Sequence, residues 1–183
     1  MTNQLIVLAG PTAVGKGTVV KYILEHYPNV HLSVSATTRS PRPGEVEGES
    51  YFFLSHEEFD RMIASGNMLE YAVVHGVNKY GTPKQPVLAA LAAGKQVILE
   101  IDIQGARQVK ASMPEAKLVF IAPPSWDELV KRLQGRGTET AEEQARRLET
   151  AQLELAAQSE FDYVVINDEV ARCASEVVDL MQA

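Results

Sequence analysis

The chain has 183 residues, near the size of one ordinary domain, and its 45% hydrophobic and 22% charged residues support a buried core. A formal net charge of -7 and a pI near 5.1 argue against nucleic acid or an anionic membrane as the main partner, because both need a basic footprint. The single cysteine, Cys173, excludes an internal disulfide and leaves no Cys/His metal spacing; it falls in an apolar pattern and reads as a buried, inert thiol.

Met1-Thr2-Asn3-Gln4 carries no basic region, and the run Leu5-Ile6-Val7-Leu8 is too short for a signal peptide or a membrane span. A reducing cytoplasm is therefore expected. Leu5 to Ala9 reads as a buried strand that ends in a glycine-rich turn, and Lys16 to Tyr27 as a helix stopped before Pro28. His31 to Ser35 reads as a short strand. Ala36 to Ser50 is polar, rich in Pro and Gly, and reads as a loop carrying Arg39 and Arg42. Tyr51 to Leu54 follows as strand. Ser55 then caps a helix with Glu58 as its box partner, ending near Gly66. Met68 to His75 and the Tyr80 region read as short strands around a turn. Lys84 to Ala93 is helical, Gln96 to Asp102 is a strongly apolar strand, and a helix runs to Met113. Beyond it come strand Lys117 to Ala122, helix Ser125 to Leu133, the long charged helix Thr140 to Gln158, strand Tyr163 to Asn167 and a last helix.

Apolar strands joined by helices predict an α/β fold: a parallel sheet covered by helices on both faces, in three layers. The stretch from Arg39 to Tyr80 breaks the alternation and predicts a small mixed insert.

Gly10-Pro11-Thr12-Ala13-Val14-Gly15-Lys16 fits the phosphate-loop pattern G-x-x-x-x-G-K, between a strand and a helix as that motif requires. Glycines let successive backbone N–H groups turn toward an anion, the helix N-terminus adds partial positive charge, and Lys16 adds a full charge for the outer phosphates. Gly17 stands where the pattern expects a hydroxyl for Mg²⁺, and Thr18 comes one residue later. The ion is then expected to be held mainly by phosphates and water, with Thr18 or Asp102 contributing. The apolar strand ends in Glu100 and Asp102, two residues apart and so on one face. Parallel sheets deliver such residues to the ligand crevice, where a carboxylate can orient Mg²⁺-bound water or bond a nucleotide.

A more specific signal lies in Ser33-Val34-Ser35-Ala36-Thr37-Thr38-Arg39-Ser40-Pro41-Arg42-Pro43-Gly44-Glu45, with Gly48-Glu49-Ser50-Tyr51-Phe52-Phe53, Tyr80-Gly81-Thr82, Ile101-Asp102-Ile103-Gln104-Gly105 and Gly135-Arg136-Gly137-Thr138-Glu139. With the phosphate loop, these stretches resemble the guanylate kinases in order and spacing, over nearly the whole chain. The resemblance implies a P-loop kinase of ATP and GMP with a Mg²⁺ requirement, and direct in-line transfer to the GMP phosphate. It divides one domain into a core (1–34, 83–134, 160–183), a GMP-binding subdomain (35–82) and a lid with the following helix (135–159).

On that resemblance Gly10 to Thr18 bind ATP, with Asn167 on the adenine side. Arg39 and Arg42 grip the GMP phosphate, and Tyr51 and Tyr80 donate hydroxyl bonds. Glu70 accepts the adjacent N–H groups of guanine, which adenine does not offer, and Ser35, Thr82, Glu100 and Asp102 complete the GMP side. Lys16, Arg132, Arg136 and Arg147 neutralise charge in transfer. Two other readings stand beside this one: a P-loop kinase of ribose bisphosphate, which would lack the guanine readers, and a non-catalytic interaction module, which would lack a working phosphate loop.

Overall fold

The computed structural model describes residues 5–134 and 139–182. In chain order the elements are β1 (Leu5–Ala9), α1 (Lys16–His26), β2 (Val30–Leu32), β3 (Ala36–Thr37) and β4 (Phe52–Phe53). Then come α2 (His56–Ala64), β5 (Met68–Val74), β6 (Asn78–Pro83), α3 (Lys84–Ala92), β7 (Gln96–Glu100) and α4 (Ile103–Ser112). The last are β8 (Lys117–Ala122), α5 (Trp126–Gln134), α6 (Ala141–Ala156), β9 (Tyr163–Ile166) and α7 (Val170–Gln182).

The core is a five-stranded sheet in the order β2-β7-β1-β8-β9, with every pairing parallel. Side-chain alternation along β1 builds its two faces. Ile6 and Leu8 pack with Val19, Val20 and Ile23 of α1 and Val177, Val178 and Met181 of α7. Leu5, Val7 and Ala9 pack with Val87 of α3 and Ile103, Ala106 and Val109 of α4. Each large aliphatic side chain of β1 is fully buried, worth roughly 2 kcal/mol apiece before entropy is counted. That explains why β1 reads as one unbroken apolar run, and why the phosphate loop at its end has a fixed base. Cys173 is buried in the first of these layers, and burial pushes its thiol up to about 11, so it stays protonated and inert as expected.

The insert is a second sheet in the order β4-β3-β6-β5, with its own small core of Ala36, Phe59 and Met68. Ser55 and Glu58 form the expected capping box on α2. Ala36 and Thr37, expected in a loop, form strand. Their partners, Phe52 and Phe53 on one side and Tyr80 and Gly81 on the other, lie far along the chain. Local composition carries no trace of such pairing. β7 also stops at Glu100, so Asp102 is not on the strand. It is the N-cap of α4, with Oδ1 accepting from Gly105 N at 2.7 Å.

Candidate active site

The segment from Gly10 to Lys16 wraps the N-terminus of α1. Gly10 has φ 155° and a side chain there would meet Ile121 O at 2.4 Å; Gly15, at φ 94°, caps the helix. Val14 N closes the loop on Pro11 O at 3.2 Å. Lys16 folds over it, and Nζ donates to Gly10 O at 2.8 Å. A cavity of about 440 Å³ is lined by Thr12 to Thr18, Glu100 and Arg132. Burial pulls the Lys16 ammonium below its ordinary value of 10.5, while the carboxylates of Glu154, Glu100 and Asp102 push back. The loop is thus a cation-bearing cradle of N–H donors, suited to a polyphosphate.

A second cavity, of about 500 Å³, lies between the sheet and the insert, with Val34, Ser35, Ser50, Tyr51 and Glu100 in its walls. The Arg39 guanidinium lies against the rings of Tyr51 and Phe53, 5.0 and 5.9 Å from centroids that are themselves 5.9 Å apart. Its Nη1 and Nη2 each donate to Glu45 at 2.7 Å. Glu45, whose Oε2 also accepts from Arg42 N at 2.8 Å, is held down to about 2 by the Arg39 fork. The guanidinium is raised in turn, by Glu45 first and to a smaller degree by the Tyr80 hydroxyl. Arg39 Nε is buried without a hydrogen-bond partner among the described residues. The Arg39 guanidinium is therefore a fixed cation on the insert with one N–H left unsatisfied. The Arg42 side chain is exposed, on the same loop.

Deeper in the insert, Glu70 and Thr82 are both buried, and Thr82 Oγ1 donates to Glu70 Oε1 at 2.6 Å. A side chain at position 105 would stand 3.0 Å from Glu70 Oε2, which places that oxygen against the first turn of α4. Burial raises the Glu70 carboxyl above 4.5, and nearby Asp102 adds to the rise. Glu100 lines both cavities and joins them; burial raises its carboxyl and Lys16 opposes the rise.

The expected arginines separate. Arg132 Nη1 donates to Val14 O at 3.1 Å and Nη2 to Asn167 O at 3.2 Å, so it lines the phosphate-loop cavity while bracing the loop. Asn167, buried, donates from Nδ2 to Val14 O at 2.8 Å and braces the same carbonyl. Arg147, on α6, pairs with Glu139 at 2.6 Å. Arg136 lies outside the described residues. Two participants escaped the sequence reading. Glu45 stood in the quoted Arg-rich segment but without a role; an acid three residues after Arg42 was the available signal. Glu154, on α6, accepts from Thr12 N at 2.9 Å, a contact between residues so distant in the chain that no local pattern marks it.

The family model described as guanylate kinase matches residues 2–183. The guanylate kinase of Leifsonia xyli subsp. xyli is 67% identical over 179 residues, 98% of this chain and 70% of that protein. That of Nocardia farcinica is 59% identical over 179 residues, 97% of this chain and 93% of that protein. Among solved structures, the crystal structure of guanylate kinase from Anaplasma phagocytophilum matches with a TM-score of 0.71 and 33% identity, covering 97% of this chain and 84% of that one.

Proposed function

Because the chain belongs to the guanylate kinase family, we propose that it is an ATP-dependent GMP kinase whose transfer runs across the junction at Glu100. It moves the terminal phosphate of ATP onto the phosphate of GMP, giving ADP and GDP. The observation that carries the assignment of roles is the pair of cavities sharing one wall: Lys16 and the loop amides on one side, Ser35 and Tyr51 on the other.

ATP places its phosphates in the loop from Gly10 to Thr18, with Lys16 on the outer ones and Asn167 toward the adenine. GMP places its phosphate on Arg39, Arg42, Tyr51 and Tyr80, and its base on Glu70, Thr82 and Ser35. The attacking oxygen is already anionic, so no strong general base is required; positioning and charge neutralisation by Lys16, Arg132, Arg136 and Arg147 supply the acceleration. The insert (35–82) and the lid with its helix (135–159) close over both nucleotides to exclude water, which would otherwise take the phosphate.

The residues fit a Mg²⁺ ion carried in by ATP. Among the described residues no group of three or more His, Cys, Asp or Glu could hold a metal by itself. Thr18 lines the loop cavity and Asp102 stands near Lys16, so these are the protein groups that would touch the ion, Asp102 through water. When bound, Mg²⁺ neutralises phosphate charge. No helix among the described residues is long and apolar enough to cross a membrane. The lone buried thiol is in keeping with a reducing cytoplasm, and phosphorylation of GMP places the enzyme in purine nucleotide metabolism, where it recycles GMP.

A coupled assay on GMP, dGMP, AMP, CMP and UMP tests the function. GMP is expected to exceed AMP in kcat/KM by about 10³-fold or more, since adenine leaves the buried Glu70 unpaired. Absence of turnover on every nucleotide by folded protein would overturn the enzyme.

The raised Glu70 carboxyl gives a second expectation. Only the ionised form accepts both guanine N–H groups. Competence is therefore complete above the raised value and is lost as pH falls through it, on the alkaline side of 4.5. The GMP phosphate titrates near pH 6 and bends the profile too, but it does so equally for wild type and Glu70→Gln. The ratio of their kcat/KM values should fall toward acid pH; a ratio that stays constant sinks this role.

A further inference from the structure

β5 is the outer strand of the insert sheet, so among the described residues one edge of its backbone has no neighbouring strand. It also carries Glu70, and its register shifts between Met68 and Glu70. Gln108, on α4 of the core, meets that edge. Its Oε1 accepts from Tyr71 N at 3.1 Å, and its Nε2 donates to Tyr71 O at 3.0 Å. A primary amide offers donor and acceptor side by side, as a peptide group does. It therefore pairs with both backbone groups of one residue in the manner of an adjoining strand. One turn further along α4, Ser112 Oγ donates to Leu69 O at 3.3 Å. The residues on both sides of Glu70 are thus tied to one helix, whose first turn faces Glu70 Oε2.

We propose that Gln108 is a positioning residue for base recognition. By pinning the Tyr71 backbone to α4, it fixes where the Glu70 carboxylate stands relative to the guanine edge. The proposal rests on the reading of Glu70 as the guanine reader. Gln108 itself contacts no nucleotide in this scheme. The chemistry requires an amide of this length: Glu would keep the acceptor for Tyr71 N–H and lose the donor to Tyr71 C=O, and Ala would lose both.

The discriminating probe is IMP, which keeps the ribose phosphate and N1–H of GMP and lacks the exocyclic amino group. Gln108→Ala should raise KM for GMP about fivefold and lower the GMP/IMP ratio of kcat/KM by a similar factor, with kcat and KM for ATP within about twofold of wild type. Gln108→Glu should fall between, and it carries the same test if the alanine variant melts below the assay temperature. Glu70→Gln runs in parallel and should collapse the ratio. A ratio lowered in Glu70→Gln but unchanged in both folded Gln108 variants overturns the positioning role and leaves the base reader standing. An unchanged ratio in Glu70→Gln overturns the base reader, and the role of Gln108 with it. Equal losses with GMP, IMP and ATP would assign Gln108 to general stability and overturn the proposal.

Discussion

Lys16→Met should lower kcat for GMP phosphorylation by about 10³-fold while GMP still binds. The cause is local. Lys16, like Arg132, lines the phosphate-loop cavity, and its Nζ lies on Gly10 O, so it sits within the loop proposed to hold the phosphates. Burial has already removed part of its water, which the partly lowered ammonium records. Phosphoryl transfer spreads charge over the outer oxygens, and a desolvated cation fixed beside them stabilises that charge more than it stabilises bound ATP. Methionine keeps the aliphatic length and removes only the charge and one hydrogen bond. The loop should hold its shape, because Val14 O remains braced by Arg132 and Asn167. GMP affinity by titration should stay within about threefold, since neither Arg39 nor Glu70 lines the phosphate-loop cavity. A kcat within tenfold of wild type, with binding intact, would remove Lys16 from the transfer step.

Arg39→Ala should raise KM for GMP about 10²-fold with little change in KM for ATP. Arg39 is committed through two nitrogens to Glu45, set against the rings of Tyr51 and Phe53, and left with a buried Nε that has no partner among the described residues. The fork is thereby pre-set, so little entropy is lost when a phosphate arrives. Lysine should not rescue it. A point charge with no fork cannot hold Glu45 and a phosphate oxygen together in one plane. The alanine variant also strands Glu45, whose carboxyl is held near 2 by this pair. Thermal melts of Arg39→Ala and of the double variant with Glu45→Gln separate the two effects. If the double variant recovers stability but not GMP affinity, the guanidinium acts on the ligand. Recovery of both would reduce it to a strut of the insert.

Much of the molecule was legible because its signals are short in sequence. β1, the phosphate loop and α1 follow one another without interruption, and the glycines at 10 and 15 answer backbone needs set within that loop. The capping box of Ser55 and Glu58 is likewise a matter of four residues. The arginine-rich segment named the guanylate kinases because residue types at fixed spacing specify chemistry directly.

The remainder was decided by tertiary structure, and for one physical reason. Its decisive contacts join backbone groups to partners distant in the chain, and a backbone N–H or C=O looks the same at every position. Ala36 and Thr37 became strand because β6 and β4 flank them. Asp102 left the strand to cap α4. Arg132 and Asn167 met on one carbonyl of Val14, Glu154 reached Thr12 N, and Gln108 took both backbone groups of Tyr71. The sequence alone determined that there is a phosphate loop and an insert bearing Arg39, Arg42, Tyr51 and Glu70, the residues on which the proposed GMP site rests. Only the fold decided how these are braced, and that Glu100 lines both the phosphate-loop cavity and the cavity beside Ser35 and Tyr51, because that geometry follows from packing two sheets together rather than from any one segment.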